Sequence, residues 1–534
     1  MIPHPEFATN TVSSRCLDGA FPEPGSEAEQ MVFARLKERL VWQFREVFPN
    51  PHSSRCVVVV PGLSMDMDVL GRIAGVQHYE ERLLCLLMLL RMPRTHLVYV
   101  TSVPISPAVI DYYLHLLPGI PSHHARRRLT LLSCYDDAVR PLSLKLLARP
   151  RLLARIREAI PNPDVAHLTC FNATPLERTL AVRLGIPLYA CDPSLADAGS
   201  KSGSREIIRE AGITLPDGFE RLRDEVDMAE ALVALKQRRP ELRRAVVKLN
   251  EGASGEGNAL FSYQDAPAGP ELRRWVRTRL PRHLRYEAPS ETWETYQSKF
   301  REMGGVVECF IEGTEKRSPS YQGRINPLGD AGVVSTHEQV LGGPSGQIFQ
   351  GCTFPADEAY RLAVQEAGWR IGEVLRQRGV ISRFGVDFVS VREADGWQHY
   401  AIEINLRKGG TTHPFQMLQF LTDGAYDLGT GLYFTPGGQS RYYYATDNLV
   451  HPSYQGLTPD DLFDIAADHG LHFHSATQQG VTFHLIGALS RYGKLGLVCV
   501  GDSPARARWY YEATVRVLDH ETRPHGVDVA PTVP

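Results

Sequence analysis

Three oxygen-bearing side chains near position 400 carry the clearest chemical signal in this chain. Asp387 sits in Phe384-Gly385-Val386-Asp387-Phe388-Val389, and Glu403 and Asn405 sit in Tyr400-Ala401-Ile402-Glu403-Ile404-Asn405. Both stretches have the apolar alternation of strands. Residues two apart on a strand share a face, so Glu403 and Asn405 point one way while Ile402 and Ile404 point the other. With Asp387 on a neighbouring strand, the set becomes an all-oxygen cluster. Such ligands suit magnesium, which takes carboxylates together with phosphate oxygens and water. The same alternation also suits the solvated face of an ordinary sheet, so the cluster needs partners elsewhere in the chain.

The partners are cationic and glycine-rich. Lys248 lies on the apolar stretch Val246-Val247-Lys248-Leu249, and a buried ammonium is costly unless it meets an anion. Glu251-Gly252-Ala253-Ser254-Gly255-Glu256-Gly257 follows directly. Its glycines, with Ser254 among them, let backbone amides approach a phosphate closely. The loop runs back into a strand at 259–263 rather than opening a helix, unlike a dinucleotide fingerprint, and it lacks the terminal Gly-Lys-Ser/Thr of a P-loop. An exposed hairpin is the plainer alternative. Further on, Val306-Val307-Glu308-Cys309-Phe310-Ile311-Glu312-Gly313-Thr314-Glu315 is an apolar strand entering a turn. Backbone groups at Glu308, Cys309 and Phe310 can face a flat heterocycle there. Glu315, just beyond, can accept hydrogen bonds from ribose hydroxyls.

These residues need a scaffold larger than one core. The 534 residues are 43% hydrophobic and 22% charged, ordinary values for a folded multidomain protein. The formal net charge of -3 gives no basic excess for nucleic acid. The nine cysteines are scattered without a CxxC pair, which argues against a disulfide framework or zinc site and for a reduced, cytoplasmic setting. No apolar run reaches the roughly 18–20 residues needed to span a bilayer, and no secretory leader is expected within 1–25. The first third alternates apolar runs (56–60, 97–101, 129–134, 166–171, 187–191) with helix-like segments (73–91, 107–117, 142–160, 175–184). That alternation predicts a doubly wound parallel sheet of five strands. The fold class is α/β followed by α+β. The expected divisions are a flexible arm over 1–25, the doubly wound domain over 26–195, a mixed domain over 196–430, a small α+β domain over 431–520 and a tail over 521–534. In the mixed domain a helix is expected over 204–211, a hairpin over 321–326 and 333–340, a helix over 358–378, and strands over 385–391 and 399–405. The last domain is expected to hold strands at 442–449, 471–474, 480–485 and 495–500, with helices capped by Thr458 and Ser503.

In this order, the elements resemble the ATP-grasp superfamily of ligases, over roughly 197–414. The resemblance implies a two-part ATP-grasp domain behind a doubly wound domain, with ATP and magnesium as cofactors. Lys201 and Lys248 match its two nucleotide-contacting lysines. The stretch from Glu251 to Gly257 (Gly252, Ser254, Gly255 and Gly257) matches its phosphate loop, Glu308, Cys309 and Phe310 its adenine hinge, and Glu315 its ribose carboxylate. Asp387, Glu403 and Asn405 match its magnesium ligands. Ser335-Thr336-His337-Glu338-Gln339-Val340-Leu341-Gly342-Gly343 and Ile404-Asn405-Leu406-Arg407-Lys408-Gly409-Gly410-Thr411-Thr412-His413-Pro414 further resemble the pheganomycin-type peptide ligases. Those enzymes activate an amino-acid-like carboxylate as an acyl-phosphate and join it to an amine. The implied partners are a small carboxylate and an amine or short peptide, with no nucleic acid or membrane; the C-terminal domain is expected to cap the peptide site or to make a homodimer. Gly385-Val386 stands where D-alanine ligases carry an arginine, so Arg383, Arg324 or Arg407 is expected to supply that charge. Arg407 is expected to clamp the carboxylate or leaving phosphate, and His337 and His413 each either to accept the amine's proton or to hold a structural hydrogen bond. Two alternatives stay open: a nucleotide-binding regulatory protein without turnover, and a ligase of this type with a non-amine acceptor.

Overall fold

The structure, a computed structural model, describes residues 21–523 apart from 66, 253–256, 289 and 343–347. Its first sheet contains β1 (Arg55–Val60), β2 (Thr95–Thr101), β3 (Leu129–Ser133) and β4 (Ala166–Cys170), all parallel, in the order β3-β2-β1-β4. Every residue of β1 is buried. Val57 and Val59 face one core while Cys56, Val58 and Val60 face another, so both sides of the sheet are covered. The fifth expected strand contracts to one parallel bridge, Leu168 to Leu188. The segment Val76–Arg91 is a tight 3-10 helix, and the expected helix over 142–160 is interrupted by Pro150, which starts the second of two helices.

The second sheet is antiparallel: β5 (Gly218–Leu222), β6 (Arg244–Leu249), β7 (Asn258–Ser262), β8 (Arg285–Tyr286) and β9 (Gly305–Cys309), in the order β5-β9-β6-β7-β8. It is preceded by the helix Lys201–Glu210, which begins three residues earlier than its sequence suggests. Ser200 caps it by accepting from the Gly203 amide. A side chain at Gly203 would meet the Asp197 carbonyl at 2.0 Å, so only glycine lets this turn form.

The large sheet holds β10 (Lys316–Arg317), β11 (Pro319–Ile325), β12 (Ala331–Gly342), β13 (Ile348–Phe354), β14 (Ser382–Glu393) and β15 (Gly396–Asn405). After a small ribbon of β16 (Ala425–Asp427) and β17 (Leu432–Phe434), it continues through β18 (Tyr442–Val450), β19 (Gly480–His484) and β20 (Lys494–Gly501). The join is antiparallel pairing of Cys352, Thr353 and Phe354 with Ala445, Tyr444 and Tyr443. The sheet therefore crosses the division expected near 430, and its apolar core is continuous with one face of the first sheet. The expected strand over 471–474 is reduced to isolated bridges at His472 and His474. Thr458 and Ser503 cap their helices as the sequence predicts. Among the described residues eight cysteines are free, and no helix is long and apolar enough to cross a membrane.

Candidate functional site

A cavity of about 990 Å³ opens where the three sheets approach one another. Its centre is the β14–β15 pair. Asp387 stands opposite Glu403 in the antiparallel register, with a bulge immediately after Asp387. The Asn405 side-chain amide donates to Asp387 Oδ2 at 2.9 Å, and Gln339 donates to Oδ1 at 2.8 Å. Lys201 Nζ bridges Glu403 Oε1 at 2.6 Å and the Gly252 carbonyl at 3.1 Å. Burial, and then the neighbouring Glu403 carboxylate, push the Asp387 carboxyl up to about 6. Burial opposes the charge of Glu403 as well, but Lys201 and Arg407 hold its carboxyl below the usual range. Two facing carboxylates that raise one another's charging cost, beside an amide oxygen, are suited to a hard cation. The described residues contain no cluster of three His, Cys, Asp or Glu, so the donor set here is two carboxylates and one amide.

Lys248 is buried on β6 and contacts the Glu308 carboxylate, which Arg205 also holds at 2.9 Å. Glu308 thereby positions the lysine from the next strand, where Val246 pairs with Glu308 in register. Its side chain is thus committed to cations, and Glu308, Cys309 and Phe310 all line the cavity. The Cys309 amide donates to the Asp217 carbonyl at 2.8 Å and the Phe310 amide to the Arg244 carbonyl at 3.1 Å. The next residue, Ile311, lines the cavity, and its amide donates to no described residue. The Phe310 ring is held by Arg244 at 3.9 Å and Lys316 at 4.5 Å. Glu315 is exposed, lies outside the cavity lining and pairs with Arg317 at 3.3 Å. At the base of the glycine loop, a Cβ on Gly252 would sit 2.9 Å from the Gly257 Cα, which explains glycine at both positions. Ser254 and Gly255 lie outside the described residues.

Two expected catalytic residues are placed elsewhere. His337 is fully buried, its Nε2 hydrogen-bonded to the Tyr443 hydroxyl at 2.6 Å, among Phe354 and Phe415. Burial pushes its imidazole down to about 3, so it is a neutral core residue that cannot reach a cavity amine. Arg324 is exposed on β11 beside Arg383 and does not line the cavity. The strand periodicity correctly makes both residues strand members, but it does not show which segment covers each face. His413 is also buried, its Nδ1 2.7 Å from the Arg82 carbonyl. Arg407 does line the cavity. Burial lowers its guanidinium from the usual range, while Glu403 and Asp387 favour its charge.

Gln339, Arg82, Asp447 and Lys494 also line the cavity, and nothing local in the sequence singles them out. Arg82 comes from the first domain and binds Asp447, from β18, at 3.1 Å. Lys494, from β20, donates to the Tyr79 hydroxyl at 2.9 Å. The one available signal was three successive charged residues, Glu80-Glu81-Arg82, abutting an apolar run; all three are buried.

Two facing carboxylates and an amide oxygen, with Lys201, Lys248 and Arg407 lining the same cavity, suit a cation-bound polyphosphate. Residues 282–429 match the family described as IQCH-like, ATP-grasp, and residues 461–514 match the PGM1 C-terminal domain. The chain is 34% identical over 461 residues to the L-propargylglycine–L-glutamate ligase of Streptantibioticus cattleyicolor, covering 84% of this chain and 91% of that protein. It is 22% identical over 519 residues to the IQ motif-containing protein H of Danio rerio, covering 88% of this chain and 49% of that one. The fold is similar to the biotin carboxylase–ATP complex of Campylobacter jejuni, with a TM-score of 0.51, 12% identity, and coverage of 86% and 91% of the two chains. It is equally similar to the biotin carboxylase domain of Hydrogenobacter thermophilus 2-oxoglutarate carboxylase, with a TM-score of 0.52, 11% identity, and coverage of 86% and 89%. The chain belongs to the ATP-grasp ligases. As such it is an ATP-dependent ligase that forms a carbon–nitrogen bond.

Proposed function

We propose that this ligase activates the carboxylate of one amino-acid-like substrate as an acyl-phosphate and transfers the acyl group to the amine of a second amino acid. The observation that carries the reading is the facing pair Asp387 and Glu403, bracketed by Lys201, Lys248 and Arg407 around one cavity. The relative at 34% identity is named for joining two amino acids, which supports the same substrate class here.

Phosphoryl transfer asks the protein for position and charge rather than covalent chemistry. Asp387, Glu403 and Asn405 would hold magnesium, whose contribution is to neutralise charge on the phosphates. Lys248, fixed by Glu308, and Lys201, fixed by Glu403, supply positive charge to phosphate oxygens. The Ile311 amide supplies a donor to the adenine edge. Arg407 orients the substrate carboxylate with its two-pronged donor geometry. A carboxylate oxygen attacks the γ-phosphorus and ADP leaves. The amine nitrogen then attacks the acyl carbon, the carbon–oxygen bond to phosphate breaks, and the amine's proton passes to the departing phosphate. Enclosure matters because water hydrolyses an exposed acyl-phosphate. The test is ADP release from pairwise mixtures of amino acids, with mass spectrometry of the products. An ATP-dependent product whose mass equals both amino acids less one water supports the reading. Absence of any such product across the panel sinks it.

A further inference from the structure

The cavity extends past the carboxylate pair to a second basic centre that the phosphoryl chemistry leaves unused. Arg82 is its principal residue. Its side chain is 9% exposed and its Nη1 is spent on Asp447 Oδ2 at 3.1 Å. Its guanidinium carbon lies 4.5 Å from the Tyr79 ring centroid and 4.4 Å from that of Phe171. Its Nε is buried with no partner among the described residues, and Nη2 donates to none of them. A buried guanidinium donor left without an acceptor carries a desolvation cost that a bound ligand removes. The free Nε–Nη2 edge is the fork that matches a planar carboxylate with two parallel hydrogen bonds.

Local charge agrees with a monoanion. Arg82 and Lys494 contribute two positive charges against the single carboxylate of Asp447. Burial opposes the Asp447 charge, but His484 and Arg82 hold its carboxyl far below the usual range, so it stays ionised. Lys494 is tied to the Tyr79 hydroxyl, and Tyr79 packs on Arg82, so the group is braced from both the first domain and β20. Arg407 contacts the same Phe171 ring, 5.9 Å from its centroid. One ring thus lies beside both guanidiniums: Arg407 toward Asp387 and Glu403, Arg82 toward Asp447.

We infer that Arg82 binds a second carboxylate, the one that does not react, and so selects an amino-acid substrate that keeps its α-carboxylate free. This rests on the ligase reading above and adds the recognition of one substrate group.

The test is a calorimetric titration of the full chain saturated with magnesium and a non-hydrolysable ATP analogue. Each of the twenty L-amino acids is titrated singly, followed by the α-carboxamide of the tightest binder. The wild type is expected to favour the free acid by at least ~10-fold, the scale of a charge-assisted contact. Arg82→Gln should lose that preference. Arg82→Lys keeps a positive charge beside Asp447 without the fork, and should also lose most of it. Affinity for the nucleotide analogue and the melting temperature serve as controls and should hold in Arg82→Lys. Persistence of the preference in both variants, absence of any preference in the wild type, or absence of amino-acid binding overturns the inference. Failure to bind the nucleotide analogue, by contrast, would strike the ligase reading itself. Ligation that proceeds equally well with acid and carboxamide would leave that reading intact and remove only the role of Arg82.

Discussion

Asp387 and Glu403 face each other across β14 and β15, and Lys201, from a helix two hundred residues upstream of Glu403, closes on the pair at 2.6 Å from the Glu403 carboxylate. Lys201 and Arg407 already favour the Glu403 charge, while the Asp387 carboxyl is raised by burial and by Glu403, a cost that a bound cation would relieve. Replacing Glu403 with Gln should therefore lower ADP formation by on the order of 10²–10³, the range seen when a transition-state electrostatic contact is removed. A coupled ADP assay at saturating magnesium reads this. Turnover like the wild type's would remove Glu403 from the magnesium set.

Arg407 and Arg324 make a paired comparison. Arg407 lines the cavity beside the carboxylates, whereas Arg324 is exposed outside it. Arg407→Ala should cost about 10²–10³ in kcat/KM, and Arg324→Ala should stay within roughly threefold, as expected for a surface charge of little energetic weight. Steady-state kinetics on both variants, with folding confirmed by circular dichroism, decides. The reverse order of effects would contradict the placement.

The hinge offers a test of one backbone donor. Ile311→Pro removes the first N–H after the strand that has no described acceptor, whereas the Cys309 and Phe310 amides are already bonded. The KM for ATP should rise about tenfold, near the value of one hydrogen bond to a ligand, with kcat less affected. An unchanged KM would place the adenine elsewhere.

His337 should behave as a packing residue. His337→Phe leaves the buried Tyr443 hydroxyl without its imidazole partner and should cost about 1–3 kcal/mol of stability. Urea unfolding measures the loss, and the pH dependence of kcat should keep its wild-type shape. Loss of a basic limb from that profile, with stability unchanged, would restore His337 as the proton acceptor.

Glu80 provides a pH signature for the first domain. It is buried, and burial pushes its carboxyl up to about 7 despite hydrogen bonds from the Ser102 hydroxyl and amide. Because the folded value lies above that of an unfolded glutamate, near 4.5, the native state holds the extra proton between the two. Its ionisation therefore destabilises the fold progressively as pH rises from about 4.5 to 7, and the penalty is complete above 7. Glu80→Gln cannot ionise, so its stability relative to the wild type should rise over that window, by on the order of 1–3 kcal/mol. Denaturant melts at pH 5 and pH 8 test the sign, and a difference that does not move with pH would show that Glu80 is already neutral or already charged at both.

Sequence alone determined the parts of this protein that depend on local chemistry. Period-two alternation placed Asp387, Glu403 and Asn405 on strands, with Glu403 and Asn405 on one face, and the glycines of 252–257 marked a loop; the structure supplied the Asp387–Glu403 register and the close approach of Gly252 to Gly257. Apolar runs fixed the buried strands because a parallel sheet covered on both faces leaves no polar position to hide them. Tertiary structure decided what depends on long-range closure. His337 and Gln339 share a strand and a period, yet one is sealed under Tyr443 and Phe415 and the other reaches Asp387. Arg82, Asp447 and Lys494 meet only because β18 and β20 extend the large sheet and pack against the first domain, and separations of hundreds of residues leave no local trace in the chain. Periodicity reports the face on which a side chain lies; only the packed fold determines what covers that face.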